Sequence, residues 1–306
     1  MTEQELTDKV VASFETARDD RFRELTRALV RHAHAFVRET RLTEDEWSAA
    51  IGFLTAAGHI TTDTRQEFVL LSDVLGISML TVAVNEAGPG SVAEAPQGPP
   101  SGRTTGLSQH SLAEATESTV LGPFFVQDSP EIELGGDIAG GASGEPSWIT
   151  GTVTDTYGDP VAGARVEVWE ADDDGMYDVQ YDGGGLAGRA HLFTDAEGRY
   201  RFWGLTPTPY PIPDDGPVGR LLERAGRSPM RAPHLHFKVT APGFHPLITH
   251  IFVAGDPYLD SDSVFGVKES LVRPFERHEA GTPTPDGRGL DGPWTSAGFD
   301  IVLRKE

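Results

Sequence analysis

The feature that most constrains this chain is a single change in its hydrophobic period. Between residues 25 and 37 the apolar residues Leu25, Ala28, Leu29, Ala33, Phe36 and Val37 recur at intervals of three and four, the repeat of an amphipathic helix. Thr43 and Glu46 then have capping-box spacing, ahead of a second helix expected to carry Trp47, Ile51 and Leu54 inward. A third, buried helix is predicted over residues 62–84. Residues 88–106, GPGSVAEAPQGPPSGRTTG, read as an ordered loop or linker. Beyond them the period drops to two. Short alternating runs at 149–155, 164–170, 200–203, 234–240, 250–253 and 299–303 are bounded by Gly, Pro and Asp, as strands are. In ARVEVWE, Val166 and Val168 alternate with Arg165, Glu167 and Trp169, the pattern of a strand with one face inside. Turns are signalled at 157–160, YGDP, and at 195–198, DAEG. The expectation is an α+β chain: a helical region with its linker over residues 1–106, and an antiparallel β-sandwich over residues 107–306. The helices suit a small bundle, or one that pairs with its copy in a dimer.

Composition narrows the chemistry. The 306 residues include no cysteine, which excludes disulfides, iron-sulfur clusters and thiol nucleophiles and leaves nitrogen and oxygen as metal donors. With 25 basic and 47 acidic side chains the net charge is -22, and no basic patch stands out, so nucleic acid is not an expected partner. Residues 1–30 lack the continuous apolar core of a signal peptide, and the most apolar run, 68–84, is shorter than the roughly 20 residues a bilayer requires. A cytoplasmic protein without membrane insertion is expected.

His234 and His236, in RAPHLHFKV, are separated by one residue and on a strand would face the same way, so both imidazoles could reach one metal ion. Two half-buried histidines on a sheet face would give the same spacing. Arg231 stands just upstream, and Ala232-Pro233 keeps the approach extended. The carboxylates show no facial-triad pattern. Tyr177 and Tyr210 fall in loops between strand-like runs, the second among prolines in PTPYPIP that stiffen its backbone. Rigidity of that kind suits a ligand, though an aromatic plug for the end of a sandwich would read the same way.

The combined pattern resembles the intradiol ring-cleavage dioxygenases. It is carried by LGPFF at 121–125, by GTVTDTYGDPVAGARVEVWEADDDGMYD, by TDAEGRYRFWGLTPTPYPIPDDGPV, by RAPHLHFKVTAPGF and by THIFVAGDPYLDSDSVFGVKESLV. The resemblance implies a ferric ion, Fe(III), one per chain, held by Tyr177, Tyr210, His234 and His236. Tyr210 would serve as both ligand and general base, and Arg231 would stabilise developing negative charge. It implies a homodimer through the N-terminal helices and allows a phospholipid at the dimer interface. At His250, where catechol-cleaving members usually carry Gln, the sequence is instead similar to the branch that cleaves hydroxyquinol, benzene-1,2,4-triol, to 3-hydroxy-cis,cis-muconate and maleylacetate. LLSDVLGISML points to the same branch. The positions matching its substrate pocket are Leu70, Asp73, Val120, Leu121, Gly122, Pro123, Phe124, Ile212, Pro213, Arg231, His250 and Val264. Two alternatives stand beside this reading: a catechol or chlorocatechol 1,2-dioxygenase, and a non-catalytic transthyretin-like sandwich.

Overall fold

The computed structural model describes residues 1–63, 65–86, 113–181 and 185–306, and the linker read at 88–106 lies outside the described residues. Contacts divide the chain into two compact units, Met1–His59 and Ile60–Glu306. Three helices occupy the first: α1 (Glu3–Ala12), α2 (Asp20–Thr40) and α3 (Glu44–Ile60), whose last residue crosses the division. The capping box at α3 is present, with Thr43 Oγ1 accepting from the Glu46 N–H at 3.3 Å and Glu46 Oε2 accepting from the Thr43 N–H at 2.9 Å. A second box, Thr2 with Glu5, starts α1. The apolar faces expected to point inward do not form a core here. Of the residues in these helices only Thr7 and Ala57 are buried, and Leu29 and Trp47 are 68% and 59% exposed. Helices that bury so little among themselves leave their apolar stripes for something outside the unit to cover.

The second unit opens with α4 (Glu67–Val74) and α5 (Ile77–Glu86). The single buried helix expected over 62–84 is therefore two half-exposed ones, bent by 72° at their junction. The break falls at Gly76, whose φ of +71° is a left-handed conformation that L side chains rarely adopt. No single helix among the described residues is long and apolar enough to cross a membrane.

Then follow β1 (Pro146–Asp155), β2 (Arg165–Trp169), β3 (Arg189–Phe193), β4 (Arg199–Leu205), β5 (Tyr210–Pro211), α6 (Pro217–Ala225), β6 (Met230–Arg231), β7 (His234–Thr240), β8 (Leu247–Val253), β9 (Val272–Arg273), β10 (Glu276–His278), β11 (Trp294–Gly298) and β12 (Ile301–Leu303). One sheet runs β10-β11-β1-β12 with β4 also on β1, the other runs β3-β2-β7-β8-β9, and β5 pairs with β6. Most pairings are antiparallel, as expected, but β1 pairs parallel with β11 and β12, and β8 with β9. Alternation reports which face of a strand is buried and carries no information on its neighbour's direction.

Ile149, Val153, Val166, Val168, Phe202, Leu235, Phe237, Val239, Ile251 and Phe299 belong to one buried cluster drawn from both sheets. Each such side chain contributes about 1.5–3 kcal/mol by leaving water. The one-sided burial read for β2 is also corrected: Glu167 and Trp169 are as buried as Val166 and Val168. The second face of this sheet is covered by the loops that carry the site.

Candidate metal centre and substrate cavity

On β7, Leu235, Phe237 and Val239 join the buried apolar cluster, so the two-residue period turns His234 and His236 to the opposite face. There His236 lies between β2 and β8, in register with Trp169 and His250. Trp169 stacks on it at 4.6 Å between centroids, and the His250 ring stands perpendicular at 4.1 Å. Two further segments bring the tyrosines. Tyr210 is in β5, paired in register with Arg231 of β6, and Tyr177 lies on the loop after β2. Gly175 lets that loop close, since its φ is +78° and a Cβ there would stand 2.4 Å from Tyr210 Cβ. Phe124 stacks on Tyr177 at 4.6 Å, and Arg189 ties both together by bonding the Phe124 carbonyl at 3.1 Å and the Asp178 carboxylate.

Four donor atoms converge. Tyr177 Oη is 2.9 Å from both Tyr210 Oη and His236 Nε2, while His234 Nε2 is 3.2 Å from Tyr210 Oη and from His236 Nε2. Donors sharing one ion at about 2.1 Å stand roughly 3–3.5 Å apart. The protonation pattern suits ligation. His234 Nδ1 is 2.6 Å from the Ala232 carbonyl, which can only accept, so Nδ1 carries the proton and Nε2 keeps its lone pair. Burial, with Arg231 adding repulsion, lowers the His234 pKa to about 3, and burial with His250 beside it takes His236 well below its ordinary value. Both rings stay neutral. Burial pushes both tyrosines up, Tyr177 further because of Tyr210, while Arg231 opposes the rise at Tyr210. Two buried phenols with raised pKa values ionise readily only beside a cation, so this donor set fits a metal ion.

Arg231 is buried, and its Nη1 donates to His234 Nε2 at 2.9 Å. Asp262 accepts from its Nε at 3.1 Å and also from the Gly266 N–H at 2.8 Å. Although burial works against its charge, Asp262 and the tyrosines hold the guanidinium above its ordinary pKa. Asp262 was not singled out by the sequence; its only mark there is a place in the DSDSVFG run.

A cavity beside these donors is lined by Leu70, Asp73, Gly122, Pro123, Phe124, Tyr210, Ile212, Pro213, Arg231, His236 and Val264. The cavity is narrow. Nine positions read from the sequence as pocket residues meet on this wall. Three do not. Val120 is buried outside the lining, Leu121 is 36% exposed, and His250 is buried in the histidine cluster with no hydrogen-bond partner at either ring nitrogen. Asp73 is 2% exposed and its Oδ1 has no partner. Burial raises its pKa, against the Ser78 hydroxyl and the charge of Arg231.

Comparison with known proteins defines the class. Residues 120–305 match the family described as Dioxygenase, and residues 19–91 match the Catechol dioxygenase N terminus. The chain belongs to this family of intradiol ring-cleavage dioxygenases, which are non-haem iron enzymes. Among curated relatives it is 60% identical to the hydroxyquinol 1,2-dioxygenase of Nocardioides simplex, over 98% of this chain and 95% of that one. It is also 60% identical to that of Rhodococcus opacus, over 99% and 94%. The crystal structure of hydroxyquinol 1,2-dioxygenase from Pseudomonas putida DLL-E4 superposes with a TM-score of 0.82 at 40% identity, covering 99% of both chains. Membership of the family removes the non-catalytic sandwich as an alternative.

Proposed function

We propose that the chain is a hydroxyquinol 1,2-dioxygenase, which cleaves benzene-1,2,4-triol with O2 between its adjacent hydroxylated carbons to give 3-hydroxy-cis,cis-muconate and its tautomer maleylacetate. One observation carries the choice of substrate: a buried carboxylate, Asp73, with an unpartnered oxygen stands in an otherwise largely apolar wall that faces Tyr210, His236 and Arg231. The 60% identity to two enzymes of that name supports it. Tyr177, Tyr210, His234 and His236 would hold iron as Fe(III), which when bound supplies the Lewis acidity and redox chemistry that open the diol to O2.

The chain's own groups do the rest. Tyr210 Oη takes a proton from a substrate hydroxyl, a role open to it because it lies at once in the donor cluster and on the cavity wall. Arg231, unable to lose its proton and aimed by Asp262, faces the negative charge that develops as the ring opens. Phe124, Leu70, Ile212 and Val264 exclude water. Asp73 accepts a hydrogen bond from the third hydroxyl of the triol; plain catechol would leave it poorly paired.

The apolar faces of α2 and α3, exposed at Leu29, Phe36, Trp47 and Ile51, support a homodimer through these helices, with a phospholipid as a candidate occupant of the interface. A cytoplasmic location belongs to the same proposal. Oxygen uptake by the iron-loaded protein, measured side by side with hydroxyquinol, catechol and chlorocatechols, tests the substrate. A higher kcat/KM for hydroxyquinol is expected, and a preference for catechol or chlorocatechol would overturn the assignment. Light scattering of the purified protein tests the dimer.

A further inference from the structure

The wall that carries Asp73 is held from outside the cavity. Helix α4 bears Leu70 and Asp73, and it packs on α6, which lies in the chain between Tyr210 and Arg231. Side chains join the two helices at both ends. At the start of α4, Glu67 is fully buried, and its Oε1 accepts from the Val218 N–H in the first turn of α6 at 2.9 Å. Arg65 braces this end by pairing with Glu67 and with Asp215.

At the far end the tie is one residue, Arg227, just past α6. Its Nη1 donates to the Val74 carbonyl at 2.6 Å and its Nη2 to the Ser263 carbonyl at 2.9 Å. Val74 follows Asp73, and Ser263 precedes Val264, so one guanidinium links the two wall residues that stand on different segments. Its carbon also lies 4.8 Å over the Phe265 ring, which a Cβ added at Gly76, where α4 gives way to α5, would meet at 3.6 Å. Arg227 is not among the residues lining the cavity or hydrogen-bonded to the metal donors.

We propose that Arg227 is a positioning residue for substrate choice. By holding the C-terminal end of α4 against the Val264 loop it fixes how far the Asp73 carboxylate stands from Arg231 and Tyr210, and so whether a third ring hydroxyl can reach it. A planar fork with donors on two arms can bond two carbonyls at once, which a lysine ammonium on a flexible stem cannot do with the same constraint. The inference rests on the hydroxyquinol reading, because only a substrate with that third hydroxyl senses where Asp73 stands.

The test uses iron-loaded Arg227→Lys and Arg227→Gln, with Glu67→Gln as a change at the opposite end of α4. For each, kcat/KM is measured with hydroxyquinol and with catechol, along with the tyrosinate-to-iron visible band and the thermal midpoint. The expected result is a loss of about tenfold or more in the hydroxyquinol-to-catechol ratio, seen mainly as a raised KM for hydroxyquinol, with the visible band unmoved and Lys milder than Gln. Equal losses on both substrates would mean that Arg227 only stabilises the fold, and unchanged kcat/KM on both would mean that it positions nothing; either result overturns the proposal. A wild-type enzyme with no preference for hydroxyquinol would instead overturn the functional reading beneath it, and the two failures are distinct because the second appears before any variant is made.

Discussion

The two sides of the cavity are built in different ways. On the donor side, His234 and His236 project from a strand in the middle of a five-stranded sheet, and Tyr177 and Tyr210 are packed onto them with 0% and 4% exposure. Each ring there has an aromatic neighbour or a hydrogen-bond partner that fixes its angle. On the opposite side, Leu70 and Asp73 sit on a helix of eight residues that ends at a left-handed glycine and is secured to α6 by a few polar contacts. The difference separates two tasks. Chemistry common to the family needs donors placed to a fraction of an ångström, which the sheet supplies for the imidazoles and close packing for the phenols. Choice among similar substrates needs only one wall to change, and that wall can be a short, adjustable element.

The division gives changes on the two sides different signatures. The largest effect is expected for Tyr177→Phe, which removes one donor. Losing an outer-shell partner of a metal ligand costs about 10–100-fold, and a ligand should cost more; hydroxyquinol and catechol activity should fall together while the visible tyrosinate band disappears or weakens severely. An unchanged spectrum would show that Tyr177 is not a ligand. Asp73→Ala should come next and behave oppositely. It should leave the band in place and lower the preference for hydroxyquinol by about 10–100-fold, the scale of one well-made polar contact. Equal loss on both substrates would merge the two sides into one functional unit.

The smallest effect concerns Glu170, buried at the end of β2 outside both sides of the cavity. Its Oε1 accepts from the Leu205 N–H at 2.8 Å, its Oε2 has no partner, and burial raises its pKa well above the ordinary value. The folded state therefore holds this proton more tightly than the unfolded chain does. Stability from this group is fully present below the ordinary carboxylate value of about 4.3 and is lost as pH rises through the raised folded value. Glu170→Gln should remove that dependence, so that its thermal midpoint relative to wild type rises between mildly acidic and neutral pH. A constant difference across the series would show that Glu170 is ionised or compensated in the fold.

Much of the donor side was legible in the sequence. The His-x-His spacing and the period of residues 234–240 place both imidazoles on one face without any knowledge of neighbours. The tyrosines were different. Composition alone favoured an aromatic plug, and likeness to a family pointed instead to ligands; the folded chain puts the two hydroxyls within 3.2 Å of the imidazoles, as a shared ion would require. His250 shows the reverse. Likeness to the family put it in the substrate pocket, whereas the folded chain pairs it with His236 and leaves it buried in the histidine cluster, off the cavity lining.

What the sequence determined by itself was local: the helical and extended periods, the capping box at Thr43, the shared face of two histidines, and an all-oxygen-and-nitrogen choice of metal donors. These depend on residues within a turn or two of each other, where covalent geometry fixes the outcome. The tertiary structure decided the rest. It set the parallel pairing of β1 with strands that come near the end of the chain, the break between α4 and α5, and the reach of Asp262 to Arg231 and of Arg227 to Val74 and Ser263. Those contacts join residues tens to more than a hundred positions apart, and which of them form is settled by burying apolar area and satisfying buried polar atoms over the whole unit at once, a condition no local pattern records.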